Sequence, residues 1–133
     1  MSNPLRYEDP GTCFACGPHN PDGLQLPIKQ TAEGVELDYS MPAKFSGWRD
    51  VVHGGIVSTV LDELMAWACS VRGTNTVTAE LVVRFRQPLK SETPFRGFGQ
   101  VTGEKGRVLF AASRITLPDG RLIAEATGKM MKV

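Results

Sequence analysis

The chain has 133 residues, of which 41% are hydrophobic and 22% charged, and its formal net charge is +1. This composition predicts one soluble globular domain and excludes a disordered chain. The near-neutral charge provides no strong basic field for nucleic acid or an anionic membrane surface. No apolar stretch is long and charge-free enough to span a bilayer.

The first 23 residues are rich in Gly, Pro, Asn and Asp. They are predicted to form a loop segment of a single domain that spans residues 1–133. They contain no apolar core of the kind a signal peptide needs. We therefore expect a cytoplasmic protein whose three cysteines are reduced.

Two short strands are predicted next. Apolar and polar residues alternate over residues 24–28 and again over 35–39, and the intervening AEG is a turn. Residues 42–52, PAKFSGWRDVV, begin with proline and show no clean periodicity, so they are predicted to form a loop.

The segment HGGIVSTVLDELMAWACSVRG, residues 53–73, predicts one long helix. Gly54 and Gly55 open it, and Gly73 stands at its end, where a left-handed cap residue is favoured. Apolar residues cover most of its circumference, so it is predicted to be buried on more than one side. Some seventeen helical residues would span roughly 25 Å, which matches the width of a sheet.

Four strands are predicted after Gly73, in TVTAELVVRFRQPL, PFRGFGQVTG, GRVLFAASRITL and RLIAEATGKMMKV. TGEKG and LPDG are turns of the kind that join hairpins. Consecutive strands with short turns form an antiparallel sheet, and a helix that is apolar nearly all round needs a curved sheet to cover it. The predicted fold class is therefore α+β, with a long central helix wrapped by a curved antiparallel β-sheet.

Two adjacent carboxylates, Asp62 and Glu63, interrupt this apolar helix. An ionised carboxylate is costly there unless it is paired or faces a cavity, so one interpretation is that the acid lines a functional site. The alternative is a solvent-facing stripe shared with Thr59 and Ser70. The two glycines also have two interpretations: their N–H groups bind a polarised oxygen, or they only permit tight helix entry.

Three motifs follow one another along the chain. They are CFACGPHNPDGLQL, then HGGIVSTVLDE with Asp62 nine residues after His53, then TAELVVRFRQPL with Thr78 ten residues before Pro88. Together they resemble the hotdog-fold acyl-CoA thioesterases of the phenylacetate-pathway-like branch, over nearly the whole chain. The resemblance implies that sheets pair edge to edge into dimers, which often stack into tetramers, with active sites at the subunit interface.

The resemblance also implies a thioester substrate and catalytic roles. Asp62 is the expected general base or nucleophile, and a backbone N–H of Gly54 or Gly55 is the expected oxyanion donor. Thr78 is expected to place a hydroxyl near the carboxylate and to orient water, with an ordinary strand threonine as the alternative. His53 is expected to orient the loop or contribute to the carbonyl site, without acting as the base.

Five residues are candidates for substrate binding: Gly47, Trp48, Glu63, Arg84 and Arg86. Related enzymes often carry an asparagine at the position of Gly47, and the asparagine side chain helps to bind the thioester oxygen. That side-chain contact is therefore missing or replaced in this chain. Trp48 is expected to shape an acyl pocket. The two arginines are expected to bind coenzyme A phosphates, or else to form a solvated strand face. For Glu63, pairing with a cation and exposure to solvent are the alternatives.

Cys13 and Cys16, with His19 nearby, resemble half a zinc site. A structural zinc site needs four ligands, and Cys69 lies on the predicted helix, so no complete set is apparent. We therefore predict no metal and no cofactor, and a tight loop packed near the substrate channel.

The predicted function is that of an acyl-CoA thioesterase, which hydrolyses a thioester to a free acid and coenzyme A. A hotdog dehydratase or hydratase, in which a histidine and an acid transfer protons together, is an alternative. A non-catalytic acyl-CoA-binding module is another. The expected partners are an acyl-CoA or acyl-carrier-protein thioester and further copies of the chain, as a dimer or tetramer, with no nucleic acid and no membrane. The acyl group is left open.

Overall fold

The computed structural model describes residues 9–133. In chain order the elements are β1 (Lys29–Gln30), β2 (Val35–Ser40), a short 3₁₀ helix (Ala43–Phe45), α1 (Gly54–Ser70), β3 (Thr76–Phe85), β4 (Pro94–Lys105), β5 (Val108–Thr116) and β6 (Leu122–Lys132). Within this part of the chain, no helix has both the length and the apolar character needed to cross a membrane.

The six strands form one antiparallel sheet in the order β1-β2-β4-β5-β6-β3. Helix α1 contacts strands β2 to β6, so it lies across the sheet. Strand β3 occupies one edge of the sheet, and β6 is its one partner among the strands that the structure describes. The predicted α+β class, one long helix on one antiparallel sheet, is confirmed.

The strand predicted over residues 24–28 is wrong in position, because only Lys29–Gln30 pairs with β2. The N–H groups of Leu24 and Leu26 instead donate to the carbonyls of Phe14 and Ala15, at 2.7 and 3.0 Å. The alternation therefore buries two leucines under the N-terminal loop without adding a strand to the sheet. Residues 9–23 of the predicted loop segment form turns, and residues 1–8 lie outside the described residues.

The long helix and the four strands after it agree with their predicted positions to within a few residues. Helix α1 has 17 residues and ends at Ser70. Gly73 follows with a φ of +84°, which is the left-handed conformation that its place in the sequence predicted.

Helix α1 approaches β4 closely at two glycines. A Cβ added to Gly99 would lie 2.4 Å from the carbonyl oxygen of Leu64, and one added to Gly97 would lie 2.8 Å from a Leu64 methyl carbon. On the next strand, the buried Ser113 donates from Oγ to the carbonyl of Leu61 at 2.8 Å. These contacts fix the height and rotation of the helix on the sheet, and so the direction in which its carboxylates point.

We expect Gly99→Ala to lower the free energy of unfolding by about 3 kcal/mol, because the new methyl group meets helix backbone that can only move as a unit. Gly103→Ala in the same strand is the matched control, since an added carbon there lies no closer than 3.7 Å to Phe110. Urea denaturation of both variants measures the difference. Equal stability of the two variants would contradict the close approach.

Candidate active site

Asp62 is tied to the edge strand of the sheet. Thr78 on β3 donates a hydrogen bond from Oγ1 to Oδ1 of Asp62, at 2.6 Å. A β-bulge between Thr78 and Glu80 redirects the side chains at this point of the strand. Within residues 9–133 the other carboxylate oxygen of the half-buried Asp62 accepts no hydrogen bond, so one oxygen is held and one is available to a ligand.

His53 caps the N-terminus of α1. The N–H of Gly55 donates to Nδ1 of His53 at 2.9 Å, and the N–H groups of Ile56 and Val57 donate to the carbonyl of His53. In the described part of the chain, the N–H of Gly54 is then the one amide of the first turn without a protein acceptor. Of the two glycines selected from the sequence, Gly54 is therefore the one able to donate to a ligand.

The hydrogen bond at the helix cap also determines the tautomer of the His53 imidazole. Because Nδ1 accepts a hydrogen bond from a backbone N–H, the neutral ring carries its proton on Nε2. Only Nε2 is then available to a ligand, as a donor. His53 lies in an exposed position at the helix start.

A cavity of about 680 Å³ opens beside this helix start. Its wall includes Gly47, Trp48, His53, Gly54, Phe85 and Arg86. Two aromatic side chains give it a broad apolar surface, since Trp48 is 85% exposed and Phe85 56% exposed. The cavity therefore combines an apolar wall, a free amide and one cation.

Gly47 stands close to the capping ring. A Cβ added to Gly47 would lie 3.2 Å from Cδ2 of His53, which is tighter than an ordinary contact. An asparagine at this position would press against the imidazole in its capping position. The glycine and the rotamer of His53 are therefore coupled, and the asparagine contact expected from related enzymes has no direct substitute at position 47.

Within one chain, Asp62 and Gly54 do not meet. They are eight residues apart on a straight helix, which separates them by about 12 Å along its axis. A base and an oxyanion donor that act on one carbonyl must each come within about 3 Å of the reacting atoms. One chain thus brings Asp62 to Thr78, and brings Gly47, Trp48 and His53 to Gly54, without joining the two groups.

The charged substrate-binding candidates lie in different places. Arg86 lines the cavity and forms an ion pair with Glu125 at 3.3 Å. Arg84 lines a separate groove of about 460 Å³ on the sheet. Glu63 faces Cys16 of the N-terminal loop, apart from both the Asp62–Thr78 pair and the cavity.

The environment of Glu63 is poorly solvated. Burial raises the pKa of the Glu63 carboxyl, and a hydrogen bond from Cys16 partly offsets that rise. Burial likewise raises the pKa of the Cys16 thiol, to about 12. Without a bound ion, the thiol is therefore protonated and donates to the carboxylate.

Phe85 belongs to the cavity but was not selected from the sequence. Its ring lies 3.8 Å from the position that a Cβ on Gly54 would occupy, so it forms the floor beside the free amide. In the sequence it is one more apolar residue in the alternation of β3. Only its exposure in a folded chain distinguishes it, and the pattern carries no signal of that.

The model of the thioesterase superfamily matches residues 50–124, more than half of the chain. The chain therefore belongs to the thioesterase superfamily, which confirms the predicted family at the level of the superfamily and the predicted enzyme class, that of the thioester hydrolases. A comparison with curated protein sequences found no significant match.

Solved structures share the fold. A thioesterase superfamily protein is 23% identical, with a TM-score of 0.82 over 86% of this chain, and the chain spans 60% of that protein's length. A Streptococcus pneumoniae thioesterase protein, solved with coenzyme A, is 19% identical, with a TM-score of 0.75 over 80% of this chain and 86% of its own. The Escherichia coli PaaI protein of the phenylacetic acid degradation operon is 20% identical, with a TM-score of 0.75 over 81% and 83% of the two chains. At these identities the likeness establishes the fold.

The Streptococcus pneumoniae protein has also been solved as two single-residue variants. One replaces an aspartate with alanine and the other a threonine with alanine, at positions 16 residues apart. Asp62 and Thr78 are separated by the same 16 residues.

The cap on α1 predicts a stability effect that is separate from any chemistry. We expect His53→Ala to lower the free energy of unfolding by about 1 kcal/mol, because the N–H of Gly55 loses its acceptor. His53→Asn offers a side-chain oxygen at the same place and should retain most of that stability. Thermal and urea unfolding compare the three proteins, and an alanine variant as stable as the wild type would contradict the capping role.

Proposed function

We propose that the protein hydrolyses acyl-CoA thioesters, with Asp62 as general base or nucleophile and the N–H of Gly54 as oxyanion donor. The observation that carries this proposal is the Asp62–Thr78 hydrogen bond of 2.6 Å, made at the open edge of the sheet. It holds a carboxylate in one orientation, and among the described residues the other carboxylate oxygen has no hydrogen-bond donor. The matching spacing of aspartate and threonine in the Streptococcus pneumoniae variants supports the same pair.

The chemistry requires a nucleophile and a place for negative charge. As general base, Asp62 accepts a proton from water as the water oxygen attacks the thioester carbon. The carbonyl oxygen becomes an oxyanion that accepts a hydrogen bond from Gly54, whose N–H lies at the positive end of the helix dipole. The C–S bond then breaks, the coenzyme A thiolate leaves and takes up a proton, and the free acid remains. Direct attack by Asp62 would instead form an anhydride, which water then hydrolyses.

Two copies of the chain are needed to assemble this site. Strand β3 is a ten-residue edge strand, and it exposes Val77, Leu81, Val82 and Phe85. A long apolar edge of this kind is a template for pairing with another strand. Antiparallel pairing of β3 with β3 of a second copy sets the first half of one strand against the last half of the other. Asp62 is held by Thr78 near the start of β3. In this pairing it approaches the end of β3 in the second copy, where Phe85 lies beside Gly54.

The cavity supplies a place for the rest of the substrate. Trp48 and Phe85 offer apolar surface for an acyl or pantetheine chain. Arg86 is the cation of the cavity wall, and it would bind a coenzyme A phosphate in place of Glu125. Arg84 is assigned no direct part, because it lines a separate groove. The contact at Nδ1 of His53 favours hydrolysis over dehydration, since a histidine engaged in capping is poorly placed to shuttle protons.

The role of Asp62 can be tested by thiol release from a panel of short, medium and aromatic acyl-CoAs. Asp62→Asn keeps the shape and an acceptor for Thr78 but removes the base, so kcat should fall at least ~100-fold. Thr78→Val should cause a smaller loss, because the carboxylate remains but is no longer oriented. Undiminished turnover by Asp62→Asn would contradict the proposal. If the wild type released no thiol from any of the thioesters, the proposal would also be wrong, and the protein would be a binding module.

The role of Gly54 can be tested without disturbing the helix. Gly54 is the first helical residue, where proline is tolerated, so Gly54→Pro removes the N–H and adds the proline ring while keeping the helical backbone. We expect kcat to fall ~100-fold or more, the usual effect of losing one oxyanion donor. Gly54→Ala is the control, since it retains the N–H and its Cβ meets only the Phe85 ring at 3.8 Å. Equal kcat for the proline and alanine variants would show that this amide does not act on the carbonyl.

A further inference from the structure

The N-terminal loop and helix α1 bring together three metal-ligating side chains that the proposed reaction does not use. Cys13, Cys16 and Glu63 each present a ligand atom, and these three atoms lie within 4.8 Å of one another. All three residues are partly buried. His19, which the sequence placed near the cysteines, is outside this group, and Glu63 takes the position of the third residue.

The sequence alone offered no complete ligand set and led us to predict no metal, but with Glu63 beside the two cysteines we infer that Cys13, Cys16 and Glu63 form a binding site for a zinc ion. Two sulfur ligands at about 2.3 Å from a tetrahedral ion stand about 3.8 Å apart, so the three side chains need only small rotations to converge on one ion. Thiolates select zinc over magnesium or calcium, and a carboxylate is a regular third ligand of zinc. The Cys-x₂-Cys spacing is the one that zinc loops commonly use.

The loop backbone is built to place both sulfurs on one side. The N–H of Gly17 donates to the carbonyl of Cys13 at 2.8 Å, which closes a tight turn around Cys16. Gly17 is buried, and a Cβ added to it would lie 2.4 Å from the backbone nitrogen of Cys13. Only glycine fits there, so the turn depends on the residue that directly follows the second cysteine.

The helix completes the site from the other side. Glu63 reaches the two sulfurs from α1, and Trp67, one turn later, forms a side-chain hydrogen bond with Cys16. The indole N–H is a donor only, so it donates to the sulfur. Donors of this kind orient and stabilise metal-bound ligands. Within residues 9–133 no lysine or arginine forms an ion pair with Glu63, so no described cation occupies the place of the metal.

The fourth position faces solvent. Cys16 lines a groove of about 660 Å³ whose wall also includes Asp9, His19 and Trp67. A water molecule from this groove can complete the tetrahedron. Binding replaces the two thiol protons, which pass to solvent, and leaves both sulfurs as thiolates bonded to zinc.

A zinc ion here would link the N-terminal loop to the residue that directly follows Asp62. In the metal-free protein, a hydrogen bond from the Cys16 thiol to the Glu63 carboxylate and a contact between the two thiols connect the same residues. The ion would therefore stabilise the loop over residues 13–26 against the helix, and with it the orientation of this part of α1. This role is independent of the proposed hydrolysis.

The test is metal binding by the full chain after reduction and removal of metal. Zinc should bind with a stoichiometry of one per chain in competition with a chelating dye, and cobalt(II) should show the intense near-ultraviolet band of a thiolate complex. Cys16→Ser and Glu63→Gln should each weaken zinc binding at least ~100-fold. Cys69→Ala is the matched control, because this third cysteine lies in the core of α1 outside the cluster and should leave zinc affinity unchanged.

Thermal unfolding of each metal-free variant shows whether it is folded before its affinity is compared. The inference is overturned if the wild type takes up no stoichiometric zinc, or if cobalt binds without a thiolate band. Wild-type affinity in Glu63→Gln would also overturn it, because the carboxylate would not then be a ligand. A Cys13–Cys16 disulfide that persists after reduction, found by mass spectrometry, would equally exclude the site.

Discussion

The close approach of helix α1 to strand β4 is the constraint on which the other features depend. Two glycines of β4 let the backbone at Leu64 come within contact distance of the sheet, and Ser113 fixes the neighbouring turn through the carbonyl of Leu61. With that face buried, successive residues project about 100° apart around the helix. Asp62 and Glu63 therefore emerge on two different flanks: one meets Thr78 on the edge strand, and the other meets the N-terminal cysteine loop.

This arrangement explains why an apolar helix tolerates two adjacent acids. Each carboxylate has its own polar partner in the described structure, so neither is buried without a hydrogen bond. The partners differ in kind. A hydroxyl holds Asp62 beside an open strand edge, which suits a group that must reach a substrate. Thiols and a tight loop cover Glu63, which suits a site that binds an ion and excludes substrate.

The distance between Asp62 and the start of helix α1 leaves the site of a single chain incomplete. One part of the site contains the carboxylate, and the other contains the free amide of Gly54. A straight helix cannot bring Gly54 back to Asp62, whatever its side chains do. The exposed apolar edge of β3 runs from Thr78 at one end to Phe85 beside Gly54 at the other. An edge that would otherwise promote aggregation would thus become the means by which two copies complete each other's sites.

Much of the fold could be predicted from the sequence, because periodicity and turn residues are local signals. The helix, the four strands after it and the cap conformation of Gly73 are examples. The strand expected over residues 24–28 failed because burial under a loop produces the same alternation as a sheet. The site was only partly predictable. Motif spacing selected Asp62 and Thr78. The hydrogen bond from the N–H of Gly55 to the His53 ring could not be predicted, because it depends on the rotamer of His53.

Contacts between distant segments were the least accessible to the sequence. Nothing local links Glu63 to Cys13 and Cys16, because the fold alone brings a residue of the central helix to a loop some fifty residues away. The exposure of a side chain likewise depends on contacts between distant segments and cannot be derived from local sequence. Phe85 looks like any half-buried strand residue until the edge position of β3 shows that its ring borders a cavity.

The proposed reaction centre uses Asp62 of one copy and Gly54 of another. Its most direct test mixes two inactive variants, Asp62→Asn and Gly54→Pro, under conditions that exchange subunits. Each mixed dimer would contain one site with both groups intact, so thiol release should recover to about a quarter of the wild-type rate in an equimolar mixture. If exchange is verified by mass spectrometry and the mixture is no more active than its components, the shared site does not exist.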